Sequence, residues 1–559
     1  MRKGILVIIT TLLFIGVKGQ DLDWIIQSGS VSVPDNNISV DALGNTYVVA
    51  SALTTIYFGS GSNSGVVSPS GSSDQVAFLV KYDSQGNFLW VREMNSSIRS
   101  YVLNFSVDDD GNSYVSGQFE GSIDFDSNIT TDNLTDYNLY GTGFLAKYDS
   151  NGNFLWSEVA NGKVNAISNS EFLLCGLYDS SKDFDFGNGT HYESVFDSVG
   201  GAYVAKYDAM ANLIWVRTIS DGTQIGANWV EEKNGEIYLS GYKTVYDTNV
   251  VWGYHSDSFI AKFGLGGNLD WKRDIGAEGY DVLMGYEVDD SGNLYLAGNF
   301  QNMVDFNPGG IANDLISVGW HDLVVAKFNT AGINEWAHSI SDVLDIYNPN
   351  GGIRNQILSM DYDSQEGLLL AGSHLTELEV NHSGGTAFLP GTTGRGAFVM
   401  NFDDSGTYKF GETVKGSGNF DVHVHGVAFN NNEGFYLSGH FHGLVDFDLG
   451  LGVSNRYSVS DGLFLAKYSF NTVGISESDI VSGFSLYPNP AFNKINIDFE
   501  NEEQLVNLQI VNIHGQQVFS KEYSNTENIQ LDIEGFSSGI YMVNITTETE
   551  RKVLKFIKK

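Results

Sequence analysis

Short apolar runs broken by Asp, Gly and Asn recur along most of this chain. The clearest reads AFLVKYDSQGNFLW over 77–90 and returns as GFLAKYDSNGNFLW over 143–156. Further copies run from Ala202 to Trp215, Ser258 to Trp271 and Leu323 to Trp336. A degenerate sixth runs from Ala397 to Phe410, and a truncated seventh from Leu463 to Tyr468. The lysine of this segment falls at 81, 147, 206, 262, 327 and 467, with Asn401 in the sixth copy, a mean period of about 64 residues. A second motif precedes it, as VDDDGNSYVSG over 107–117 and VDDSGNLYLAG over 288–298. Weaker forms span Val40 to Ala50, Val230 to Gly241, Met360 to Gly372 and Val427 to Gly439.

Both motifs have hairpin chemistry. Gly and Asn accept positive φ, and an Asp side chain can cap the amides of the turn. Each repeat thus predicts four short antiparallel strands, and radial repetition of such units is a β-propeller. The period exceeds the 40–50 residues of compact propeller repeats. The excess lies between second and third strands, as in Asp126 to Thr142, and predicts loops on one face. The last copy stops at Phe470 without its Trp strand, while a spare one, Asp21 to Ile26, stands at the other end. Pairing the two would close the ring and leave no gap. The expected fold is therefore all-β: a seven-bladed propeller over 20–470 with N-terminal strand closure.

The pattern Phe-x-Ala-Lys-Tyr-Asp…Gly-Asn…Trp with Val-Asp-x-x-Gly-Asn-x-Tyr-Val-x-Gly resembles the SBBP (seven-bladed β-propeller) repeat over some 450 residues. That resemblance implies a fold and is silent on activity.

After a polar linker at 471–483, residues 484–559 alternate with period two over six or seven short runs, from Lys494-Ile-Asn-Ile to Lys552–Lys559. This predicts a small Ig-like β-sandwich. Tyr487-Pro-Asn-Pro490, Asn512-x-x-Gly515, Gly539-Ile-Tyr541 and the basic end Lys555 to Lys559 resemble the type A sorting domain of the type IX (Por) secretion system. The resemblance implies passage across the outer membrane through that machinery, to release or surface attachment. At the other end, MRKGILVIITTLLFIGVKG over 1–19 has the charged start, apolar middle and small final residue of a secretory signal. Its apolar run is too short for a comfortable span, and no other long apolar segment exists. A secreted or cell-surface monomer with no transmembrane segment is the expectation.

Charge narrows the partners. The net charge is −38, from 30 Lys+Arg against 68 Asp+Glu. Of this, 484–559 contributes only −3, so the acidity belongs to the propeller. Such a surface repels nucleic acid and anionic lipid. It suits divalent cations, so Ca²⁺ is a candidate cofactor, with carboxylates in Asp124-Phe-Asp126, Asp183-Phe-Asp185 and Asp446-Phe-Asp448. The competing reading makes these strand-end caps with Phe in the core. Asp108 to Asp110 before Gly111 lacks the distal Glu of a calcium loop and reads as a turn. His423, His425, His440 and His442 form two i, i+2 pairs on consecutive strands, a candidate Zn²⁺ set if they converge. The lone Cys175 lies in an apolar strand and reads as a packed thiol.

No nucleophile elbow, zinc-protease, P-loop or dinucleotide motif is present. No residue is singled out as catalytic. The reading is a non-catalytic propeller that binds an unknown protein or glycan, adheres or scaffolds. The alternative is a secreted polysaccharide hydrolase or lyase, betrayed by carboxylates converging in the channel.

Overall fold

A computed structural model describes residues 18–472 and 484–559, except 34–36, 61–62, 70–74, 127–132, 136–140, 179–181, 188, 194–199, 247–253, 278, 309, 319–320, 343–354, 393–394, 417–420, 431–432, 451–452, 489–490, 513–516, 538 and 548–550. Most of the expected signal segment and linker, and parts of the sorting-domain motifs, lie outside these. The chain divides into two units, 17–472 and one that includes 473–559.

Among the described residues, the first unit shows seven four-stranded antiparallel blades. Blade 1 comprises Ile38–Val40, Thr46–Ala52, Val76–Tyr82 and Phe88–Ser96, from inner to outer. Blade 2 comprises Arg99–Val107, Ser113–Glu120, Thr142–Tyr148 and Phe154–Val159. Blades 3, 4, 5 and 6 repeat this order from Lys163, Gln224, Val282 and Gln356 respectively. Blade 7 draws three strands from the end, Val422–Phe429, Gly434–Asp446 and Asn455–Thr472. Its outer strand is Lys18–Ser32 from the beginning, with Leu22 opposite Tyr468, Ile25 opposite Ala466 and Gln27 opposite Phe464. This is the closure expected of the spare Trp strand. The strand begins two residues inside the expected signal segment, at Lys18.

The apolar runs of the middle strands are explained by burial on both faces. Thr46–Ala52 and Val76–Tyr82 are buried at every position, because each blade is covered by a neighbour on either side. Seven apolar layers alternate with the seven blades. One joins Leu369 and Val399 of blade 6 to Leu437 and Phe464 of blade 7. The next joins Tyr436 and Leu465 of blade 7 to Val48 and Phe78 of blade 1. The layer between blades 3 and 4 contains Cys175, whose thiol burial pushes up to about 12. It is a packed thiol, as the sequence suggested.

Turns lock successive blades together. In the turns opened by Asp41, Asp83, Asp108, Asp149, Asp208 and Asp289, one carboxylate oxygen accepts the amides of residues i+2 and i+4. The i+3 residue takes positive φ, as at Gly152 (78°) and, unusually, Ala211 (62°). The repeat tryptophan of one blade lies flat on such a glycine of the next: a Cβ on Gly152 would stand 2.8 Å from Trp90. The indole N–H of Trp215 donates to the Leu265 carbonyl, and that of Trp271 to Thr330. Trp and Gly thus recur together because they form one inter-blade contact.

The second unit is a small β-sandwich. Phe484–Tyr487 and the ends of two long strands, Lys494–Asn512 and Gln517–Asp532, form one layer. The other halves of those strands pair on with Gly539–Thr546 and Arg551–Lys558. Ile495, Ile497, Leu508, Ile510, Val543 and Phe556 fill the space between. Six or seven short runs become five strands because two pairs of runs join through irregular pairing near Asp498–Glu503. Among the described residues, no helix is long and apolar enough to cross a membrane.

Candidate functional site

The antiparallel order gives the propeller two rims. Turns between strands one and two, and between three and four, lie on one rim. Connections between strands two and three, and between blades, lie on the other. The long inserts that lengthened the repeat form two-stranded ribbons on this second rim, such as Ile56–Ser60 with Asn63–Val67 and Leu378–His382 with Gly385–Leu389. They carry many of the large exposed apolar side chains, among them Tyr57, Tyr192, Ile316, Phe388 and Tyr457.

The Asp-Phe-Asp motifs stand at the base of these ribbons. Asp446 Oδ1 accepts the amides of Asp448 and Ser454, and Asp183 Oδ1 those of Asp185 and His191. Phe125, Phe184 and Phe447 are buried. Their carbonyls accept the hydroxyls of Tyr148, Tyr207 and Tyr468. These carboxylates cap turns and do not gather round a common point.

The seven inner strands surround a channel cavity of about 470 Å³. One inner-strand position, opposite Tyr47, Tyr114, Leu173, Tyr238, Tyr295, Leu369 and Tyr436 in turn, is occupied in blades 1 to 7 by Ser39, Ser106, Asn165, Glu231, Glu287, Asp361 and Ala428. Four of these side chains lace the inner strands, which have no ladder partner on the channel side. Ser106 accepts the amide of Ala166, Asn165 that of Glu232, and Asp361 that of Phe429. Glu231 accepts the amide of Val288.

Glu287 breaks this pattern. The amide it would accept, on Tyr362, donates to Asp361 instead. Burial, then the neighbouring Glu231 and Asp361, push the Glu287 carboxyl well above the usual range, against the opposing pull of Lys233. Burial also raises Glu231 to about 8 and Asp361 to about 6. Lys233 pairs with Asp290 at 2.9 Å. Burial opposes its charge, but Asp290, Glu231 and Glu287 outweigh that and keep it cationic. Glu287 and Asp361 thus line the channel, with Glu231 and the Lys233 ammonium near enough to act on Glu287 electrostatically. Sequence reading missed all three carboxyl groups, and aligning the repeats on the residue two before each turn would have found them.

Of the four candidate histidines, three come together. His423 lies directly opposite His440 across the inner strand pair of blade 7. Potential ligand nitrogens of His423, His425 and His440 all lie within 4.8 Å of one another. His442 is outside this group and exposed. No other group of three or more His, Cys, Asp or Glu converges in this way among the described residues.

Known proteins add the following. Residues 485–559 match the secretion system C-terminal sorting domain. The chain is 24% identical over 471 residues to a WD repeat-containing protein of Acanthamoeba polyphaga mimivirus. That match covers 69% of this chain and about a third (32%) of the relative's length. The subtype N10 neuraminidase-like protein of A/little yellow-shouldered bat/Guatemala/060/2010 matches with 8% identity and a TM-score of 0.30, over 66% of this chain and 94% of that one. A GH43 protein of Bacillus licheniformis matches with 8% identity and a TM-score of 0.24, over 80% and 97%. Structural likenesses this distant say nothing of chemistry. The sorting domain does carry a conclusion: this is an all-β chain with a type IX sorting domain at residues 485–559, exported by that system to the cell surface or beyond.

Proposed function

We propose that this chain is a non-catalytic binding propeller of the SBBP repeat type, made with an N-terminal secretory signal and presented outside the cell as a monomer. It engages a protein or glycan with its ribbon rim. The observation that carries this reading is the set of exposed apolar side chains on that rim. Tyr57 is 74% exposed, Tyr192 62%, Phe388 56% and Tyr457 60%. Aromatic faces kept in water at this density are common at recognition surfaces. The test is a screen of the full chain against glycans and cell-surface proteins, with and without EDTA. A ligand whose affinity falls tenfold or more in a Tyr57→Ala/Phe388→Ala/Tyr457→Ala variant supports the reading. Absence of any ligand, or binding that ignores these substitutions, overturns it.

Glu287 favours a second reading, a polysaccharide hydrolase or lyase working in the channel. A carboxyl released from the lacing and held protonated is suited to general acid chemistry. Loss of polysaccharide-cleaving activity in Glu287→Gln would support it, and no activity on any polysaccharide would sink it.

A further inference from the structure

We propose that His423, His425 and His440 bind one late first-row divalent metal ion, of which Zn²⁺ is the natural probe, at the ribbon-rim end of the inner strands of blade 7. The site is independent of the binding reading above and needs neither rim ligand nor channel chemistry.

Its geometry is set by the strand pair. Directly opposite partners bring His423 and His440 to a ring-centroid separation of 4.8 Å. His425, two residues on, shares the face of His423, and the register shift between Val424 and Gly426 turns it toward His440 at 5.1 Å. The three rings are nearly parallel, with interplanar angles of 19° to 23°. At metal–nitrogen bonds of ~2.0–2.1 Å, nitrogens in a tetrahedral shell stand about 3.4 Å apart. Side-chain rotations closing at most about 1.4 Å would therefore assemble the set with the backbone in its present register.

Two observations point to a ligand. His440 Nδ1 is buried without a hydrogen-bond partner, a costly condition that a metal bond would relieve. The donor set is also all nitrogen. Three imidazoles with no carboxylate among them suit Zn²⁺, Cu²⁺ or Ni²⁺, whereas Ca²⁺ takes six or more oxygens. Neutral imidazole is the form that ligates. Three protein ligands leave one position for water or for a group on a bound partner.

The test uses the full chain without a polyhistidine tag. After incubation with zinc and desalting, elemental analysis should give about one Zn²⁺ per chain, and titration calorimetry should give one site. His440→Ala and His423→Gln should each weaken that site at least tenfold while circular dichroism stays unchanged. His442→Ala should leave it intact. If the variants do not fold, Cu²⁺ loading of the wild-type chain decides, because electron paramagnetic resonance should report nitrogen couplings from three imidazoles. Retention below about 0.2 Zn²⁺ per chain, stoichiometric binding that survives in folded His423→Gln/His440→Ala, or an equal loss in His442→Ala would each overturn the assignment.

Discussion

The carboxyls at and near the channel make stability depend on pH in a specific direction. Glu231 binds its proton up to about pH 8 in the fold, while an unfolded glutamate releases it near 4.3. The folded chain thus holds a proton that the unfolded chain has lost. This contribution is complete below the unfolded value and disappears as pH rises through 8. At about 1.36 kcal/mol per unit, the loss between pH 6.5 and 8.5 is about 2 kcal/mol, an upper figure because Glu231 keeps partial exposure and solvent screens its charge. Glu231→Gln keeps an oxygen for the Val288 amide but has no proton to lose. Buried histidines such as His321 and His338, held neutral to about 4, act with the opposite sign. They are common to both proteins and cancel in the difference. With an unfolding entropy near 2.1 cal/mol/K per residue over roughly 450 residues, 2 kcal/mol is about 2 °C in Tm. Scanning calorimetry of both chains at half-unit pH steps should show the wild type losing about 2 °C relative to the variant between pH 6.5 and 8.5. A constant difference, or one that moves the other way, would refute the assignment of a raised carboxyl.

Gly152→Ala should destabilise by about 2–3 kcal/mol, because it combines a left-handed backbone with a Cβ in contact with the Trp90 indole; thermal unfolding measures it. Ala211→Gly, in the same turn position of blade 3, should change stability by under about 0.5 kcal/mol, since relief of strain offsets added freedom in the unfolded chain. Deleting residues 20–32 should lower Tm by about 10 °C or more and cause aggregation visible by light scattering, because the edge of Asn455–Thr472 would be bared.

Much of this fold is legible in the sequence because its features are local and repeated. Asp-x-x-Gly-Asn specifies a turn wherever it occurs, and the spare strand around Trp24 finds the one blade that lacks a fourth strand. The sandwich strands were harder to delimit, since alternation persists through Lys494–Asn512 and marks no end. The carboxyls at and near the channel were hidden for another reason. Among 68 acidic residues, Glu231, Glu287 and Asp361 differ from the rest only by position on three neighbouring inner strands. That neighbourhood exists only once the ring closes. The histidines were partly legible: i, i+2 spacing put pairs on one face, but strand register decided that His423, His425 and His440 meet while His442 does not.

Ring closure is the central claim, and a cross-link tests it most directly. Asp21 and Ser469 are opposite partners, at a separation that an antiparallel pair sets at about 4.5–5.5 Å, within disulfide range. Asp21→Cys/Ser469→Cys should oxidise spontaneously within one chain, without competition from buried Cys175. Peptide mapping should then find position 21 joined to position 469. Free thiols at both positions, or joined 21–21 dimers between chains, would contradict a ring closed by its own N-terminal strand.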